Sequence, residues 1–309
     1  MNLDETMLSM RVAFTTAETK ISEMLKAMSV RAKIEQHSSI LTQTERKLAT
    51  ALLSDYPYAG LSPIHELAER AEVSPPSISR FVVKLGLSGY AEMQRALLIE
   101  LRQGALSPVQ IHEASETIRG GYLGEFLSRA AAQVNSASTA ITEAQFDRIC
   151  ALAAEPRRSL YTIGGRVSDN IARHLAFHLG QARPNVFHLP RDPEVWPEYL
   201  LRMKPGDVFF IFDFRRYETQ LARLAERAAT DRKARIVVVT DKWLSPINRT
   251  ATEVLAVPIE TGTIWDSYAA ALAVTEALAA RIASADWNKV RARITAWDAA
   301  RNIEGDTGE

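Results

Sequence analysis

Val73-Ser-Pro-Pro-Ser-Ile-Ser-Arg-Phe-Val-Val-Lys-Leu-Gly-Leu-Ser-Gly-Tyr90 opens on a helix cap, places two prolines in a first turn, and closes on glycines. Ser74 is the cap, and Pro75 and Pro76 occupy positions whose missing N–H groups leave no intrahelical bond unmade. Ile78, Phe81, Val82 and Leu85 then recur on one face until Gly86. With that stripe turned inward, Pro76, Arg80, Val83 and Lys84 face outward, flanked by Ser77 and Ser79. From Ser74 to Gly89 the chain carries Arg80 and Lys84 and no acid.

Just upstream, Ser62-Pro63 starts a helix whose Ile64, Leu67, Ala68 and Ala71 repeat the same stripe, and only Glu72-Val73-Ser74 separates the two. A helix pair with so short a turn is what a helix-turn-helix needs, the second helix entering the major groove; the same pairing also occurs in bundles that never touch DNA. In the DNA reading, the Arg80 fork suits guanine O6 and N7, whereas Lys84, one turn on, suits a phosphate. Ser74, Ser77 and Ser79 are short donors for phosphate oxygens. Thr42 and Glu45 have capping-box spacing ahead of another helix, and Tyr90, Met93, Leu97 and Leu101 mark a further one.

These segments resemble a known family. Leu41-Thr-Gln-Thr-Glu-Arg-Lys-Leu-Ala49, Ile64-His-Glu-Leu-Ala68, Val73 to Phe81 and Lys84 to Tyr90 are similar to the N-terminal domain of RpiR/MurR transcriptional regulators. The resemblance covers roughly residues 38 to 285. It implies an operator-binding domain followed by a SIS (sugar isomerase) domain that senses phosphorylated sugars.

Beyond Pro156 the pattern changes independently of that resemblance. Leu160–Ile163, Val186–Leu189, Val208–Phe212, Ile236–Val239 and Val254–Ile259 are near-continuous apolar runs, as strands buried on both faces should be. Helical patterns at Ser168–Leu179, Thr219–Ala229 and Tyr268–Ala283 fill the gaps, which implies an open parallel sheet covered by helices. The expected fold is thus multidomain, α and α/β. It comprises an N-terminal helical extension (1–37), an all-α helix-turn-helix domain (38–106), a helical linker (107–140), an α/β SIS domain (141–285) and a C-terminal tail (286–309).

Ligands of open α/β sheets sit outside the carboxyl ends of the strands. The candidates there are Gly164-Gly165-Arg166-Val167-Ser168, Asp213 with Arg215, Arg216 and Thr219, Thr240 with Ser245, and Glu260. The first stretch has the logic of an anion loop, with glycines for close approach and Ser168 at a helix start, although Gly-Gly after a strand is also an ordinary turn. It is similar to the SIS pattern Gly-x-Gly-x-Ser, with Arg166 at the second glycine. Where SIS domains usually carry Ser-x-Ser-Gly-x-Thr, this chain has Asp213-Phe-Arg-Arg-Tyr-Glu-Thr219, so the same backbone cradle is not expected. Either Arg166, Arg215 and Arg216 hold a phosphate or carboxylate side-on, the preferred reading, or they pair internally with Asp169 and Asp213.

The remaining arithmetic narrows the class. In 309 residues, 37 Lys+Arg balance 37 Asp+Glu, which argues against a chain that coats nucleic acid or anionic lipid. One cysteine, Cys150, leaves no intramolecular disulfide. No apolar run reaches membrane-spanning length and the first ten residues lack a basic n-region, so a cytoplasmic protein with no membrane partner is expected. No Gly-x-Gly-x-x-Gly fingerprint is present, and no cofactor or metal is expected. The expected partners are double-stranded operator DNA, a sugar-phosphate or sugar-acid effector, and further copies of the chain in a homodimer or homotetramer. The competing reading is a SIS-type sugar-phosphate isomerase, for which His174, His178 and His188 are the histidines to weigh.

Overall fold

A computed structural model of the chain describes residues 29–104, 108–113, 118 and 120–301. Contacts divide the chain into two units, Met1–Gln103 and Gly104–Glu309. Most of the expected N-terminal extension, residues 1–28, lies outside the described residues, as do 302–309.

The first unit is all-helical: α1 (Val30–Gln36), α2 (Gln43–Ser54), α3 (Ile64–Ala71), α4 (Pro75–Lys84) and α5 (Tyr90–Gly104). Thr42 and Glu45 form the expected capping box at the start of α2. Helix α3 begins one residue later than expected, with Pro63 at its cap, because the Ser62 hydroxyl donates to the Ala59 carbonyl instead of capping. Leu48, Leu52, Leu67, Ile78, Phe81, Val82, Leu85, Met93 and Leu97 form the buried interior. Helix α1 belongs to this body, since Val30 and Ile34 are buried and the buried Glu100 of α5 accepts from both the Val30 amide and the Tyr56 hydroxyl.

The second unit holds α6 (Pro108–Glu113), α7 (Tyr122–Ala140), α8 (Glu143–Ala154), α9 (Asp169–Ala182), α10 (Trp196–Arg202), α11 (Thr219–Arg232), α12 (Ala269–Ala283) and α13 (Trp287–Arg301). Its strands are β1 (Leu160–Gly164), β2 (Val186–His188), β3 (Val208–Phe212), β4 (Arg235–Thr240) and β5 (Glu253–Ala256). They form one parallel five-stranded sheet in the order β2-β1-β3-β4-β5. Alternation divides the sheet's side chains between two layers. Val208, Phe210 and Phe212 pack with α8, α9 and α12, while Phe209 and Ile211 pack with α10 and α11.

Two expectations need correction, and one helix was not expected at all. Helix α7, in the stretch read as a linker, packs against α12 and so is part of the α/β body. The stretch read as a C-terminal tail (286–309) contains α13, held to α9 by Val290 burial and by Arg293 donating to the Gly180 carbonyl at 2.9 Å. Helix α10 has no counterpart in the sequence reading. At the β5 edge, Gln145 of α8 donates its side-chain amide to the Val254 carbonyl at 2.9 Å, and Arg148 pairs with Glu253 at 3.0 Å.

Among the described residues, no helix is long and apolar enough to cross a membrane, and no group of acidic, cysteine and histidine side chains could hold a metal ion.

Candidate functional site

In the helical unit, α3 and α4 are joined through Glu72, which takes the left-handed conformation (φ 52°) and ends α3, and Ser74, which opens α4. Pro76, Ser79 and Arg80 are exposed, and Val83 is 58% exposed on the same helix. The Ser74 and Ser77 hydroxyls bond each other at 2.9 Å, and Arg80 reaches Ser77 at 3.4 Å. The Arg80 guanidinium thus projects from the first turns of a helix that bears no acid, as a base-reading group must.

Lys84 is different. Its ammonium donates to Glu45 of α2 at 2.8 Å and to the Ile40 carbonyl at 3.0 Å, so the proposed phosphate contact is already committed inside the fold. Burial alone would raise the Glu45 carboxyl, but hydrogen bonds from Lys84 and Thr42 hold it below its usual value. Lys84 therefore ties the second helix of the pair to α2, and the free face of α4 is Pro76, Ser79, Arg80 and Val83.

In the α/β unit a cavity of about 350 Å³ opens at the carboxyl ends of β1 and β3. The strand order reverses between these two strands, the position where open sheets leave a crevice. The cavity is lined by the loops after β1 and β3, by Ile264, Trp265, Asp266 and Tyr268, and by Ile111.

The candidate residues divide sharply. Gly165, Arg166, Ser168, Asp213, Arg215 and Arg216 line the cavity, whereas Gly164, Thr219, Thr240, Ser245 and Glu260 do not. Thr240 and Ser245 are buried, the Ser245 amide donating to the Thr240 hydroxyl at 3.0 Å and the Ser245 hydroxyl donating to Asp213. Glu260 is paired with Lys242. Even Ser168, 3% exposed, has its hydroxyl spent: it donates to the Phe212 carbonyl at 2.7 Å and accepts from the Gly165 amide at 2.9 Å.

The three arginines do not act alike. Arg215 is paired internally, but with Asp266 and not with Asp169 or Asp213; its Nε donates to Asp266 at 2.6 Å and its guanidinium stacks 4.6 Å from the Trp243 ring centroid. Arg166 and Arg216 are exposed, and among the described residues neither guanidinium has a hydrogen-bonding or ionic partner. Arg216 also has a φ of 65°, a conformation that costs a side-chain-bearing residue free energy and that glycine adopts freely.

Buried Asp213 accepts from the Glu218 amide at 3.3 Å and from Ser245, yet burial pushes its carboxyl from the ordinary 3.8 up to about 7. Burial likewise raises Asp241 to about 6, against hydrogen bonds from Tyr217 and the Arg215 amide. A raised carboxyl favours folding when protonated, so its contribution is complete below the unfolded value and disappears as pH climbs through about 7. We therefore expect urea-unfolding midpoints of the wild type to fall more steeply than those of Asp213→Asn between about pH 5 and 8. Parallel curves would contradict this.

Sequence reasoning missed Glu218, Arg191 and Asp266. Arg191 follows the β2 run as Gly165 follows β1, which was a usable signal. Its Nη1 donates to the Gly164 carbonyl at 2.6 Å, and its Nη2 donates to both Glu218 oxygens at 3.1 Å. The histidines lie elsewhere. His174 and His178 meet edge to face on α9 with ring centroids 4.5 Å apart, and Glu276 lies 3.4 Å from His174, a carboxylate neighbour the sequence did not disclose. His188 is held between Thr162 at 3.0 Å and Asp169 at 3.3 Å.

Comparison with known proteins follows the same division of the chain. Residues 28–104 match the helix-turn-helix domain of the rpiR family, and residues 154–281 match the SIS domain. The chain belongs to the RpiR family of transcriptional regulators. An RpiR-family relative, the HTH-type transcriptional regulator HexR of Pseudomonas aeruginosa, is 25% identical over 231 residues, 74% of this chain and 78% of that protein. Among solved structures, the sugar isomerase domain of an RpiR transcription factor from Sphaerobacter thermophilus aligns with a TM-score of 0.53 at 17% identity, over 57% of this chain and 98% of that one. Vibrio vulnificus NanR, solved in complex with ManNAc-6P, aligns with a TM-score of 0.51 at 17% identity, over 90% of this chain and 99% of that one. The first shares the fold of the α/β unit of this RpiR-family chain, and the second aligns with most of its length.

Proposed function

We propose that this RpiR-family protein binds operator DNA through α4 and regulates carbohydrate-metabolism genes in response to a phosphorylated or acidic sugar. The single observation that carries the effector reading is the pair of unpartnered guanidiniums, Arg166 and Arg216, at the rim of a cavity on the β1/β3 switch point. The sugar phosphate bound by NanR supports the same ligand class. The effector acts by linkage: its differential affinity for operator-bound and free protein sets the change in operator affinity.

An isomerase would need a free acid or base beside the substrate carbonyl. Of the cavity carboxylates, Asp266 is held by Arg215, Glu218 by Arg191, and Asp213 is buried at 1% exposure. This supports a sensor over a catalyst. Aldose–ketose turnover by the purified protein would reverse that conclusion.

Reading a two-fold operator requires a dimer. Leu123 (70% exposed), Leu127 (55%) and Val134 (37%) form an apolar stripe on α7 that supports association with a second copy through helices. The protein is expected to work in the cytoplasm.

The test is operator binding measured with and without a panel of phosphorylated and acidic sugars, on the wild type and Arg216→Gly. The substitution relieves the left-handed strain, so stability should rise by about 1 kcal/mol, while the sugar response weakens. A full sugar response in Arg216→Gly would remove Arg216 from the site, and a panel with no effect on operator binding would remove the sensor reading.

A further inference from the structure

Glu218 occupies the mouth of the first loop in a manner that hydrogen-bond economy alone does not require. Its Oε1 accepts from the Arg166 amide at 2.8 Å, and both its oxygens accept from Arg191 Nη2 at 3.1 Å. The carboxylate lies over Gly165, where a built Cβ would stand 3.4 Å from Oε1. Arg191 is in turn oriented by the Gly164 carbonyl. A loop amide at a glycine and an oriented guanidinium are the donors that a phosphate or carboxylate ligand uses. Here the acceptor is supplied by the chain itself.

We infer that Glu218 is a tethered anion that fills the amide position of the cavity and bars a ligand's phosphate from it. This rests on reading the cavity as an anion sensor. The ligand's charged group is left to the side chains of Arg166 and Arg216 at the rim, and the amide position is specific for the internal carboxylate. Two features agree with this assignment. The residue that contributes the anion stands two positions beyond Arg216, at the cap of α11, where the loop after β3 ends. Asp213, adjoining both Gly165 and Glu218, is buried and pushed toward its neutral form, first by burial and further by the nearby charges of Asp241 and Glu218, so Glu218 is the carboxylate that answers Arg191.

The test uses inorganic phosphate on the full-length protein, by titration calorimetry at fixed ionic strength. Removing the like charge in Glu218→Gln should tighten phosphate binding about tenfold or more. Adding Arg191→Gln should abolish the gain, since it deletes the guanidinium that the phosphate would take over. In ¹⁵N spectra, phosphate should shift the Arg166 amide resonance further in Glu218→Gln than in the wild type, where that amide stays bonded to the carboxylate. Glu218→Thr, which is uncharged and keeps an acceptor for that amide, replaces the glutamine variant if the latter does not fold.

Phosphate affinity equal to or weaker than wild type in a folded variant would overturn the inference, as would a gain that survives loss of Arg191. The outcome is separable from the sensor reading. A sugar panel without effect on operator binding would reject the sensor, whereas the phosphate gain depends only on what Glu218 occupies.

Discussion

Gly164→Ala is expected to destabilise the α/β unit by about 3 kcal/mol, read as a lowered urea midpoint at constant slope. A Cβ at this position would stand 2.5 Å from the Asp169 amide nitrogen and 2.6 Å from both the Asp169 Cα and the Ser168 carbonyl carbon. All three are backbone atoms, so no side chain can swing away. The turn that carries β1 into α9 would have to open, stretching the Gly164 amide bond to Asp169 at 3.0 Å and the Arg191 contact to the Gly164 carbonyl at 2.6 Å. Gly180→Ala in α9 is the control, because a Cβ there meets nothing within 4 Å and helix propensity favours alanine. A Gly164→Ala midpoint matching that control would show that the turn yields.

Arg80→Ala should weaken operator binding by about 1 to 3 kcal/mol and relax preference at one base pair. Lys84→Ala should behave differently. By removing the ties to Glu45 and Ile40, it is expected to lower the stability of the helical unit while leaving base preference intact. Anisotropy titrations against operator and scrambled duplex at one salt concentration separate the two effects. Unchanged affinity and preference in Arg80→Ala would mean that α4 is not the reading helix.

Much of this architecture was legible because burial writes itself into residue order. The stripe from Ile78 to Leu85 repeats with helical period, the short β-rich run Val208-Phe-Phe-Ile-Phe212 suits a strand buried on both faces, and the helix and strand lie where those runs place them. The short α10 was not legible, since Trp196-Pro-Glu-Tyr carries no sustained repeat and its fixing contacts come from β3 and α11. The same physics explains the mixed outcome at the cavity. Strand ends could be found from the sequence, but whether a polar side chain is free depends on partners distant in the chain. Arg215 is spent on Asp266, Lys84 on Glu45, and Ser245 on Asp213. None of those pairings has a local signature. Glu218 has no local signature either, because the guanidinium that holds it, Arg191, lies 27 residues away in the chain.

Strand β5 ends the sheet, and an uncovered border of peptide groups is a template onto which a stray extended segment adds. Gln145 and Arg148 of α8 obstruct that border by taking the Val254 carbonyl and the Glu253 carboxylate. An extended segment arriving at β5 therefore meets a carbonyl already taken and a guanidinium in its path, which disfavours strand addition, and with it fibre growth, at that border.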